Sequence, residues 1–427
     1  MSKRRYFCEQ LAAWLCSSEW HFTTLLAICI EVVDGLPDDV DKLIHQLLSQ
    51  FTEKPDKSSL TEFLISHPIV SSWLGITYPA PRIVKINLQS EDLKPLPKAL
   101  PQLHSLSDLS DWLSLSNGQI DWLADLKRPT ERTPKHFQHF HYLTSIKRDG
   151  RPRLIECPKS LLKKVQRKIN EEILCHANIH DSAHGFRPNR SCSTHAGLHV
   201  QKSHLLLFDI AHYFHSILWS QVVRVFHELG YSRTVAKYLT AFCTHRCDLK
   251  HIVFNQFTQQ DQDLFKHRHL PQGSPTSPML SNAVSFVLDK RLSGLAQKLE
   301  LTYSRYADDL AFSGNNQRDW TFLEPLIGSI CLEQGFQLNH KKTRILRSHK
   351  QQRVTGITVN EKINVDRRYY DQLKATLNNC VNKGLDSQNR EDHSDFRAHL
   401  LGRINYVASL NPQKSKKLLA IYHQISD

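Results

Sequence analysis

The stretch LTYSRYADDLAFSG, Leu301–Gly314, sets two adjacent carboxylates, Asp308 and Asp309, between apolar, aromatic flanks that read as buried strand. Either the pair is the tip of a β-hairpin, or it faces something strongly positive. A second stretch, HLLLFDIAHYFHSI, narrows the choice. Leu205 to Phe208 is a continuous apolar run of the kind a buried strand shows, and Asp209 interrupts it. A buried carboxylate without a partner is expensive, so it is neutralised by a proton or by a cation. A strand-end aspartate plus a two-aspartate hairpin matches what a pair of Mg²⁺ ions requires. Each ion takes one or two carboxylates and shares substrate phosphates, and two ions about 4 Å apart serve phosphoryl transfer. The plainer alternative makes Asp308 and Asp309 turn formers and Asp209 a cap or ion-pair member.

Composition points to a polyanionic partner. The 427 residues carry 40% hydrophobic and 23% charged side chains, as an ordinary globular protein does, yet the formal charge is +13. The excess is uneven: Arg132 to Glu172 holds eleven Lys/Arg against four Asp/Glu, while Glu31 to Glu62 holds eight acidic against three basic residues. Ten cysteines without a framework spacing, and no signal peptide, lead us to expect reduced thiols in a cytoplasm. LLAICIEVV, Leu25–Val33, is about half the length that spans a bilayer and contains Glu31, so no membrane segment is expected. Cys243, Cys247, His267 and His269 could be taken for a zinc site. The loop between the pairs is long and the first pair sits in a helix-like segment, so zinc is not expected there.

Periodicity divides the chain. Residues 1 to about 75 read as helices, with apolar positions such as Val40, Leu43, Ile44, Leu47 and Leu48 on one face. A proline-rich linker, TYPAPRIVKINLQSEDLKPLPKALPQ, marks a boundary. From about Leu126 to Asn360 strand-like and helix-like stretches alternate, and the tail from Asp366 reads as helix again, giving an α+β chain.

Five motifs in order then resemble one family. YADDLAFS looks like the central motif of reverse transcriptases, and FDIAHYFHSI like the strand of their first catalytic aspartate. LPQGSPTSPMLSNAV resembles their nucleotide loop and helix, IKRDGRPRLIECP their fingers motif, and GFQLNHKKTRIL the segment after the catalytic hairpin. Within that family the chain resembles the bacterial retron enzymes through SAHGFRPNRSCSTHAGLHV, RVTGITVNEKINVDRRYY and GRINYVASLNP. His195 departs from the usual Asn of the retron block, while Ala196 and His199 fit it. Group II intron maturases share many motifs but carry further fingers insertions and a maturase domain.

The resemblance implies a right-hand polymerase with an added N-terminal helical domain. The expected divisions are 1–90 accessory, 91–204 linker and fingers, 205–353 palm, and 354–427 primer grip and thumb. It implies that Asp209, Asp308 and Asp309, with the Ile210 carbonyl, hold two Mg²⁺ ions. Lys147 or Arg148 and Arg153 would bind the triphosphate, a guanidinium suiting phosphate oxygens. Phe214 would exclude a ribose 2′-hydroxyl, Gln272 and Gly273 would meet the sugar, and Tyr306 and Ala307 would border base and template. Lys341 or Lys342 would protonate pyrophosphate. Lys163, Lys164, Arg167 and Lys168 lie near one helical face and read as template contacts or as a solvated face. His199, Val354, Thr355 and Gly356 complete the expected nucleic-acid contacts. The implied partners are dNTPs, a structured noncoding RNA serving as template and primer, its DNA product, and an effector protein in antiphage defence. The rivals are an abortive-infection-type reverse transcriptase, or an idle RNA-binding scaffold that keeps the polymerase shape.

Overall fold

The computed structural model describes residues 3–75, 81–83, 96–126, 138–146, 150–247, 257–316 and 318–425. The chain divides into two compact units: Met1–Ile179 with Ala211–Leu288 and Ser329–Gln337, and His180–Ile210 with Asp289–Gly328 and Leu338–Asp427.

In the first unit, five helices from Lys3–Cys16 to Pro68–Gly75 fold around Leu11, Leu15, Leu25, Leu43, Ile44, Leu47 and Trp73. The expected apolar segment forms the helix Phe22–Val32, which buries Leu25, Cys29 and Val32. A short antiparallel ribbon pairs β1 (Val33–Asp34) with β2 (Arg82–Ile83). Further along, β3 (Phe140–Ile146) pairs antiparallel with β4 (Pro152–Pro158), so that Ser145 faces Arg153. Leu154, Glu156 and Pro158 point inward from β4, and exposed Arg153 alternates with them, as the two-residue period of a strand requires. The helix Ser160–Glu172 follows, burying Leu162, Val165, Gln166 and Ile169.

The second unit is built on β5 (His204–Ala211), β6 (Thr302–Tyr306) and β7 (Asp309–Gly314), with β7 in the middle and all pairs antiparallel. The short strands β8 (Gln337–Leu338) and β9 (Arg344–Arg347) extend the sheet from β5. A hairpin of β10 (Arg353–Val354) and β11 (Ile357–Thr358) then leads into three helices, Arg367–Lys383, Phe396–Leu410 and Pro412–Tyr422. Each starts on a side-chain cap: Asp366 accepts from the Tyr369 amide, Asp395 from Ala398 and Asn411 from Lys414. Their apolar stripes meet Leu205, Ala311, Val354 and Ile357 in one core.

No disulfide joins any of the ten cysteines. No helix among the described residues is long and apolar enough to cross a membrane.

Candidate active site

Strand register brings the three aspartates together. In the β5–β7 ladder Asp209 stands directly opposite Asp309, and the Ile210 amide donates to the Asp308 carbonyl at 2.9 Å. Directly opposed residues lie about 4.5–5.5 Å apart at Cβ, and like charges there are destabilising. The ladder therefore holds two carboxylates where they repel, and Asp308 sits beside them in the turn. Asp209 is buried, with 5% of its surface exposed.

That turn is tight. Tyr306 pairs with Asp309, which leaves Ala307 and Asp308 as a two-residue connection. Ala307 has φ 54°, the left-handed region that a primed hairpin turn needs at its first central position. Held there without being glycine, it stores strain at the tip. Gly185 makes room for it, since a Cβ on Gly185 would lie 2.8 Å from the Ala307 nitrogen.

A fully buried ion pair braces the same hairpin. Arg305 Nε and Nη2 donate to Asp289 at 2.8 and 2.6 Å, and Arg305 Nη1 donates to the Ala307 carbonyl at 3.1 Å. Tyr303 adds a hydroxyl to Asp289 at 2.7 Å. Sequence reasoning missed Arg305 and Asp289; the available signal was an arginine on the apolar flank of YADD.

Electrostatics mark the site as built for cations. Desolvation first, then the charges of Asp308 and Asp209, push the Asp309 carboxyl up to about 7, while Lys342 pulls the other way. Asp309 keeps an exposed edge, so the like-charge crowding fixed by the register is the firmer part of that shift. Lys342 Nζ is in ion-pair contact with Asp209 Oδ1. It comes from the 3-10 turn His340–Lys342, which the Asn339 amide ties to the Asp209 carbonyl at 2.7 Å. Of the two lysines expected here, it is Lys342 that reaches Asp209, while Lys341 is exposed on the same turn. Three carboxylates that already recruit an ammonium form a hard-oxygen donor set suited to divalent ions.

The remaining expected residues fall in several settings. Gly273 has φ 135°, and a Cβ there would meet the Glu156 carbonyl at 2.8 Å, so only glycine lets this loop lie on β4. The Glu156 amide donates to the Gln272 carbonyl at 2.8 Å, joining the Gln272–Gly273 loop to the strand that carries Arg153. Phe214 is half-buried, whereas its neighbour Tyr213 is the core aromatic, bonded to Ser281 and Ser285 and stacked on Phe336. Tyr306 is half-buried beside Phe186 and His195. Lys163, Lys164 and Arg167 are exposed on their helix. Lys147 and Arg148 lie outside the described residues.

Three expectations need correction. His199 is fully buried, with Nδ1 2.7 Å from Ser313 Oγ and Nε2 2.7 Å from Ser304 Oγ. It staples β6 to β7 and presents no surface to nucleic acid. Lys168 turns to Trp112, donating to its carbonyl at 2.6 Å and lying 5.0 Å from its ring centroid. Val354 belongs to the core, which leaves Thr355 and Gly356, both at positive φ, as the outward part of that turn.

Comparison with known proteins agrees with this geometry. The family described as "Reverse transcriptase (RNA-dependent DNA polymerase)" matches residues 146–359. The retron Mx65 reverse transcriptase of Myxococcus xanthus is 34% identical, over 75% of this chain and 71% of that protein. The retron Mx162 reverse transcriptase of the same organism is 30% identical, over 75% and 67%. The retron Ec86 reverse transcriptase of Escherichia coli is 28% identical, over 64% and 76%. With the aspartates in register and the motifs in order, the chain belongs to the reverse transcriptases, RNA-directed DNA polymerases with a palm-type antiparallel sheet, and within them to the retron type.

Proposed function

We propose that this polymerase copies part of a cognate structured noncoding RNA into single-stranded DNA that stays joined to the RNA, in a retron system acting with an effector protein against phage. The observation that carries the catalytic part is the opposition of Asp209 and Asp309 with Asp308 in the adjoining turn. We place two Mg²⁺ ions on these side chains and the Ile210 carbonyl. Bound there, they would acidify the primer hydroxyl and offset charge on the triphosphate and leaving pyrophosphate. Lys342 pairs with Asp209, and Arg305 fixes the turn that carries Asp308. Lys342 is poised to leave Asp209 and donate a proton to the departing pyrophosphate; its exposed side chain has the freedom to do so.

The nucleotide reading assigns Arg153 to triphosphate oxygens and the Gln272–Gly273 backbone to the sugar. Half-buried Phe214 is assigned to reject a 2′-hydroxyl, and Tyr306 and Ala307 to border the base. In this reading 91–204 act as linker and fingers, 205–353 as palm, 354–427 as primer grip and thumb, and 1–90 as an accessory domain. The acidic run from Glu31 to Glu62 suits that accessory domain to a protein partner better than to phosphate.

The test is the nucleic acid that co-purifies. Extracted from active protein, it should contain a short DNA that RNase shortens at one end without destroying. Asp309→Asn protein should carry the same RNA without the DNA. DNA with no RNA-linked end would overturn the self-priming part and leave the polymerase assignment in place.

A further inference from the structure

In the first unit, four segments of chain bring ionisable side chains into one dry cluster. Glu156 on β4 and His269 are fully buried, and Cys247 and His215 nearly so. Cys247 Sγ lies 3.0 Å from Glu156 Oε1. His269 Nε2 lies 3.2 and 3.1 Å from the two Glu156 oxygens, and His215 Nε2 is 3.3 Å from Oε2. The Glu156, Cys247 and His269 donor atoms all fall within 4.8 Å of one another. The ring of His215 is 4.9 Å from that of His269.

One detail points to a ligand. His269 Nδ1 is 2.7 Å from the His267 carbonyl, which can only accept, so Nδ1 carries a proton and Nε2 is the atom turned into the cluster. Fixing one ring nitrogen on a backbone carbonyl is how metal-binding histidines are oriented. His215 Nε2 lies 3.3 Å from the second Glu156 oxygen and holds that carboxylate in place.

We propose that Glu156, Cys247 and His269 bind one Zn²⁺, with His215 holding the second Glu156 oxygen. Zinc with bonds of about 2.0–2.3 Å has ligand-to-ligand edges of roughly 3.3–3.6 Å, and Cys247 Sγ and His269 Nε2 lie 3.0 and 3.2 Å from Glu156 Oε1. One thiolate and one carboxylate balance the ion's charge and the neutral His269 imidazole adds none, so a buried site carries no net charge. Thiolate excludes Mg²⁺, and three protein donors leave the fourth position of the tetrahedron to water. Binding releases the Cys247 thiol proton. Of the sequence's CTHRC and histidine pair, only Cys247 and His269 take part. Cys243 lies in the helix Arg233–Cys243 and His267 Nε2 is 3.2 Å from Asp34. The site clamps β4 to the loop of Gln272 and Gly273, because the Glu156 amide holds the Gln272 carbonyl.

Metal analysis of the full chain, purified without chelator or affinity metal and passed through gel filtration, tests this. One zinc per chain is expected, lost in Cys247→Ser and His269→Gln and kept in Cys243→Ser. Cobalt exchanged into the wild type should give tetrahedral d–d bands plus a thiolate charge-transfer band. Zinc added to chelator-stripped wild type should raise its Tm. Wild-type protein that neither retains zinc nor shifts its Tm on zinc addition overturns the site. So does zinc that persists in both Cys247→Ser and His269→Gln.

Discussion

Asp309 shows what the register costs the protein when no metal is bound. Its folded pKa, about 7, lies above the ordinary carboxylate value, so the native state holds a proton that the unfolded chain has released. Stability therefore falls as pH rises from about 4 to 7 and stays low above that. Asp309→Asn should remove this fall and raise divalent-free stability at pH 8 by roughly 1 kcal/mol, discounted for the residue's exposure. Thermal melts against pH in EDTA check the sign, and Mg²⁺ should raise the wild-type Tm more than the variant's. Phe214 carries a second prediction at this scale. Phe214→Ala should raise ribonucleotide incorporation relative to deoxyribonucleotide; an unchanged ratio in folded protein would return the ring to a packing role.

At the scale of the β6–β7 hairpin, the turn that carries Asp308 rests on buried side chains. Arg305 and Asp289 are fully buried, and Arg305 also holds the Ala307 carbonyl. Removing one member of such a pair strands a charge, so Arg305→Ala should cost about 3–5 kcal/mol in denaturant unfolding. The Arg305→Ala, Asp289→Ala double variant should lose less than the two single losses added. How legible this was follows from the physics of each residue. Aspartates inside apolar runs stand out because a buried charge needs a reason, and Asp209, Asp308 and Asp309 could be read directly. His199 could not, because a motif position does not say whether a ring faces solvent or two serines behind it. Lys341 and Lys342 differ only in how a three-residue turn points them. Glu156, His215, Cys247 and His269 come from four separated segments, and no local spacing announces their meeting.

For the whole molecule, charge +13 and the basic run from Arg132 to Glu172 predict RNA binding that weakens steeply with salt. The structure separates the basic residues of the helix Ser160–Glu172. Lys163, Lys164 and Arg167 are exposed, while Lys168 is held by Trp112 and Glu172. Alanine at each exposed position should reduce the slope of log K against log salt by about 0.7–0.9, and Lys168→Ala should leave it nearly unchanged. Equal effects at all four would mean that the Trp112 contact opens when RNA binds. The central claim, that Asp209, Asp308 and Asp309 are the metal-dependent polymerase site, has one direct test. It is dNTP incorporation on a primed RNA template with Mg²⁺, comparing wild type with Asp308→Asn, alongside RNA affinity. Incorporation should fall by orders of magnitude in the variant while affinity is retained, and near-wild-type incorporation by Asp308→Asn would contradict the account.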